Sequence, residues 1–112
     1  MTHITVNKKS NRYSIKLNGH ANYSPNGQDI VCAATSMITF MLLQMIDNMN
    51  ARNEVSIITQ KQEEGFVDIE VSVGKIYQDY FDTVLDVILT GYKLLSNKYP
   101  NNIFLETDIN SI

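Results

Sequence analysis

The chain has 112 residues, 44% of them apolar, with a formal net charge of −3. That length holds a single domain over residues 1–112 with a modest core and no separate substrate-binding domain, and the acidic balance argues against direct nucleic-acid binding, since such domains carry a basic face. One cysteine excludes an intrachain disulfide and a cysteine-rich zinc site; no metal or cofactor is expected.

His3 to Lys8 alternates apolar and polar residues and predicts a first strand, with a hairpin turn over Lys8-Lys9-Ser10-Asn11. Arg12 to His20 is the second strand. Asn22, Tyr23, Ser24, Pro25, Asn26, Gly27 and Gln28 then form a loop, with a turn former in Ser24-Pro25-Asn26-Gly27. Asp29 is a good N-cap for the first helix, Ile30 to Met49, because its carboxylate can accept from orphan N–H groups of the first turn. At about 100° per residue, Ile30, Ala34, Met37, Ile38, Met41 and Met45 share one face, which reads as the core side. Cys32, Ser36 and Thr39 fall opposite. Phe40, Leu43 and Ile46 lie on the cysteine side as a second apolar face, which needs cover from a second subunit or from packing beneath the site.

Glu54 to Gln60 predicts a third strand, and Lys61 to Gly65 a turn in which Gly65 suits positive φ. Phe66 to Val73 alternates strictly, with Val67, Ile69, Val71 and Val73 inward and the carboxylates of Asp68 and Glu70 on a solvated face. After Gly74, Tyr77, Tyr80, Phe81, Val84, Leu85, Ile88, Tyr92 and Leu95 keep helical spacing. Tyr99-Pro100-Asn101-Asn102 stops that helix, Ile103 to Glu106 is a short last strand, and the final six residues are expected to fray. The order ββαββα(β) predicts an α+β domain, a mostly antiparallel sheet of four to five strands with two packed helices. The N-terminus lacks the basic and apolar regions of a signal peptide, and the apolar run Phe40-Met41-Leu42-Leu43 is far shorter than a membrane span. A cytoplasmic protein without membrane contact is expected, and a reactive thiol is easiest to keep in that reducing compartment.

Chemistry concentrates between Gly19 and Ser36. Cys32 sits in the first helical turn, where orphan N–H groups and the macrodipole favour a thiolate, and the loop can fold His20 beside it. A nucleophile with a nearby base is the minimum for covalent catalysis. The residues alone leave the other reading open, in which Cys32 is a small packed hydrophobe in a non-catalytic assembly or peptide-binding factor. Ser36, one turn beyond Cys32, suits a hydrogen bond at the site or one back to a helical carbonyl. Gly19 suits a close backbone approach to a ligand or a strand-end kink.

Gly19-His20-Ala21, five residues, Gly27, one residue, then Asp29-Ile30-Val31-Cys32-Ala33 and Ser36, resembles the signature of the ribosomal-processing cysteine protease family, Prp. The resemblance implies a small α+β homodimer in which His20 and Cys32 are the catalytic pair and Gly19, Asp29 and Ser36 support them. It implies a substrate, the N-terminal extension of large-subunit ribosomal protein twenty-seven, and a mobile loop at Asn22–Gln28. Backbone N–H groups of Cys32 and its neighbours are the expected oxyanion donors. Asp29 serves as the cap or as an orienting partner for His20.

Overall fold

Isoleucine, valine and tyrosine at alternate positions give the first hairpin one apolar face. In the computed structural model, which describes residues 1–25 and 28–109, β1 (Thr2–Lys9) pairs antiparallel with β2 (Arg12–Asn18). Helix α1 (Ile30–Ala51) follows, then β3 (Val55–Glu63), β4 (Phe66–Val73), a single 3-10 turn, α2 (Gln78–Lys98) and β5 (Ile103–Asp108). The sheet order is β3-β4-β2-β1-β5. All neighbours are antiparallel except β1 and β5, which run parallel. This is the expected α+β architecture, with the last strand closing one edge.

Several boundaries differ from the sequence reading by a residue or more, among them β1, which runs Thr2–Lys9, and α1, which runs on to Ala51. Strand β2 stops at Asn18 and not at His20, because Gly19 leaves extended backbone at φ 101°. Strand β3 runs to Glu63, so the turn before β4 shrinks to Glu64 and Gly65. β3 is an edge strand, where polar side chains stay solvated and do not end a ladder. β5 takes in Thr107 and Asp108, held by the register with Val6 and Asn7 of β1; the last of the residues expected to fray, 110–112, lie outside the described residues.

One face of the sheet is buried by Ile4, Val6, Tyr13, Ile15, Leu17, Val67, Ile69, Val71 and Val73. The other is polar, with Lys16 opposite Asp68 in register and Arg12 paired with Glu70 at 3.3 Å. Both helices therefore pack on the same, apolar face, in contact with each other. A Cβ on Gly91 of α2 would lie 3.0 Å from Ile38 Cδ1 of α1, so that glycine sets how closely the helices approach.

The face α1 turns to the core is not the one its periodicity suggests. Its buried residues are Val31, Thr35, Thr39, Leu42, Leu43, Ile46 and Met49. Ile30, Met37 and Met41 are half exposed or more. The helix is apolar nearly all round, and its threonines misled the wheel. Thr35 Oγ1 donates to the Val31 carbonyl at 2.8 Å, and Thr39 Oγ1 to that of Thr35 at 2.8 Å. With their hydroxyls satisfied inside the helix, both threonines pack as small apolar residues. Leu43 and Ile46, expected to be covered by a second subunit or by packing beneath the site, are buried within the chain itself; of that group only Phe40 is exposed. By length and composition alone α1 would also cross a membrane, although the run Phe40–Leu43 suggested otherwise; here its buried face lies on the sheet.

Candidate active site

The site begins where β2 ends. Gly19 N–H donates to the Gly65 carbonyl at 2.9 Å, one step beyond the Asn18–Phe66 pair, and ties the end of β2 to the β3–β4 turn. A Cβ on Gly19 would lie 2.4 Å from the Met1 carbonyl oxygen. The close approach that requires this glycine is therefore made by the chain's own first residue. His20 follows, exposed. The next carbonyl, of buried Ala21, accepts from Asn102 Nδ2 at 2.9 Å, and Asn22 turns the chain at φ 55°.

The described part of the loop is held at several points. The Tyr23 ring meets Tyr99 edge-on with centroids 5.3 Å apart. Gln28 N–H donates to the Pro25 carbonyl at 2.9 Å. Asn26 and Gly27 lie outside the described residues. Asp29 is the N-cap of α1: its Oδ1 accepts from Cys32 N–H at 2.9 Å, while Oδ2 accepts from Tyr23 N–H at 2.9 Å and Ser24 N–H at 3.3 Å. One carboxylate thus closes the helix end and the loop together. Partial desolvation acts to raise the Asp29 carboxyl, but the backbone donors Cys32, Tyr23, Ser24 and Val31 outweigh it and hold it below its usual value. None of these bonds reaches His20, so the geometry makes Asp29 a cap and loop clamp.

The same bonds correct the expected oxyanion donors. Cys32 N–H is committed to the Asp29 carboxylate and Ala33 N–H to the Asp29 carbonyl at 3.0 Å. The helix start has spent the donors that the sequence reading assigned to a developing oxyanion, and the ionised cap stands beside the thiol.

His20 and Cys32 line one cavity of about 510 Å³, walled by the end of β2, the first turns of α1 and the β3–β4 turn. Cys32 is a partly buried thiol packed against the core, intermediate between the two environments considered for it. Among the described residues no hydrogen bond joins the imidazole to the thiol. Ser36 lines the same cavity and its hydroxyl makes no bond back to the helix, unlike those of Thr35 and Thr39. Phe40 and Phe66 supply apolar wall, and Glu63 and Glu64 an acidic rim. The rim, Phe66 and Gly65 were not foreseen as parts of the site, whereas Phe40 was expected on the cysteine side of the helix. Gly65 announced itself only as a turn residue, and nothing local could show which side chain it would meet.

A thiol and an imidazole sharing one cleft of an α+β domain are the parts of a cysteine peptidase. The model of the family described as cysteine protease Prp matches residues 1–104. The chain belongs to that family and is a cysteine peptidase, which decides against a non-catalytic factor. Among solved structures it is similar to the ribosomal processing protease Prp of Staphylococcus aureus with a covalently linked product peptide, at 17% identity and TM-score 0.73, covering 96% of this chain and 100% of that one. The same Staphylococcus aureus protease with a substrate peptide gives 17% identity and TM-score 0.68, again covering 96% and 100%. A protein of Streptococcus mutans gives 19% identity and TM-score 0.67, covering 98% and 96%. No curated protein sequence matches significantly.

Proposed function

We propose that the chain is a ribosomal-processing protease in which Cys32 is the nucleophile and His20 the general base. The observation that carries this reading is the shared cavity, into which two residues twelve positions apart are brought from a strand end and a helix start. His20 takes the thiol proton as sulfur attacks the scissile carbonyl, then gives it to the leaving amine. Water, deprotonated by the same imidazole, releases the acyl group from sulfur. With the N–H groups of Cys32 and Ala33 engaged, the Ser36 hydroxyl is a donor on the Cys32 side that can meet the oxyanion. The substrate is the N-terminal extension of large-subunit ribosomal protein twenty-seven, as the family resemblance implies, and the reaction belongs to the cytoplasm, the reducing compartment in which a reactive thiol is easiest to keep. The Asn22–Gln28 loop, whose described residues Tyr23 and Ser24 meet Tyr99 and Asp29, closes over bound peptide and excludes water from the acyl intermediate.

A homodimer belongs to this reading. The surface it would cover is the outer face of α1, including Ile30, Met37 and Met41, exposed at 59%, 60% and 50%. Incubating the protein with the ribosomal precursor should shorten the precursor by one N-terminal segment in mass spectrometry. Full-rate cleavage by Cys32→Ala would refute the assignment. A monomer mass by sedimentation at micromolar concentration would refute the dimer.

A further inference from the structure

Gly65 sits in the two-residue β3–β4 turn at φ 73°, in the left-handed region. A Cβ there would lie 2.7 Å from His20 Nε2, 3.0 Å from Cε1 and 3.4 Å from Cδ2. These are the three outermost atoms of the imidazole, so the tip of the ring rests where a side chain on residue 65 would be. The Gly65 carbonyl also accepts from Gly19 N–H at 2.9 Å. One residue thus fixes the backbone just before His20 and leaves the space its ring occupies. The ring has little else to hold it, being exposed and without a hydrogen bond among the described residues.

We propose that Gly65 is a positioning residue for the general base: the missing side chain in the β3–β4 turn is the seat that aims the His20 imidazole into the cleft shared with Cys32. The inference rests on the assignment of His20 as base. It separates two roles that a turn glycine can have. A role in the turn alone is satisfied by any residue that tolerates positive φ, such as asparagine. A role as a seat is satisfied only by glycine, because every other residue brings a Cβ. The collision is with the far end of a flexible side chain, so the ring can swing aside at little cost to the fold. The loss falls on chemistry.

The test compares Gly65→Asn and Gly65→Ala with wild type, using a peptide of the ribosomal precursor's N-terminal segment. Readouts are kcat and KM, the pH profile of Cys32 alkylation by iodoacetamide, and the His20 Cε1–H resonance in the peptide-free protein. Both variants should shift that resonance, alter the alkylation profile and lower kcat about tenfold or more, within the roughly 10²–10⁴-fold that general acid–base catalysis supplies, while KM changes little. Gly65→Asn should unfold near the wild-type temperature, which separates the seat from backbone strain if Gly65→Ala folds poorly. Wild-type kcat and an unmoved His20 resonance in Gly65→Asn overturn the proposal and leave His20 as base intact. Full activity in His20→Ala overturns the general-base reading and the proposal with it.

Discussion

Replacing Asp29 separates two things its carboxylate does, accepting hydrogen bonds and carrying charge. Asp29→Ala removes the acceptor for Cys32 N–H at the helix start and for Tyr23 and Ser24 N–H in the loop. Loss of an N-cap costs about 1 kcal/mol, within a range of roughly 0.5–2. The two loop donors can turn to water, and each adds at most a few tenths, the low end of a net hydrogen bond. The sum is about 1–2 kcal/mol. For a domain between the small and large classes, that lowers the melting temperature by roughly 4–8 °C. Asp29→Asn keeps a carbonyl oxygen at the cap, and Asn caps as well as Asp, so most of the loss should be restored. It also removes a negative charge one turn from the thiol, so Cys32 should be alkylated faster near neutral pH in Asp29→Asn than in wild type. Thermal melts and the iodoacetamide rate against pH measure both. An unchanged melting temperature in Asp29→Ala would refute the cap. Cleavage lost in Asp29→Asn, together with an altered titration of His20, would show instead that the carboxylate orients the imidazole. Acid should act through the same group: its carboxyl is held below the ordinary value, so its contribution is complete above the unfolded pKa of about 3.9 and lost as pH falls through the lower, folded one.

Gly19→Ala meets backbone, the Met1 carbonyl oxygen at 2.4 Å, at a residue with φ 101°. It should destabilise by about 2 kcal/mol or more, combining left-handed strain of roughly 1–3 kcal/mol with displacement of the β1 start, and denaturant melts at wild-type midpoint would refute this. Burial of Tyr92 pushes its phenol up to about 12, with the Thr39 hydroxyl 2.7 Å away pulling the other way. Because the folded value lies above the unfolded value of about 10, this stability is complete below pH ~10 and is lost as pH rises toward ~12, by roughly 2–3 kcal/mol. Tyr92→Phe should flatten that alkaline decline in pH-dependent melts, and an unchanged slope would refute the assignment to Tyr92.

Much of the fold was legible because local pattern and tertiary role agree. Phe66–Val73 alternates so strictly that strand, bounds and buried face followed from period alone. Asp29 before an apolar run declared the helix start, and the motif from Gly19 to Ser36 marked His20 and Cys32 before any geometry was known. The inner face of α1 was not legible. A helix apolar on nearly all sides has no preferred face of its own, and Thr35 and Thr39 become core only because their hydroxyls bond back to the helix and Thr39 meets Tyr92 of α2. Nor could local sequence show that Gly65 would lie against His20, or that Glu63, Glu64 and Phe66 would wall the cleft. Gly65 and His20 are forty-five positions apart in the chain, and they meet because β2 and β4 are neighbours in the sheet. Period and capping act within a few residues and so are written in the chain; which distant surfaces meet is decided by the competition of all faces for one core.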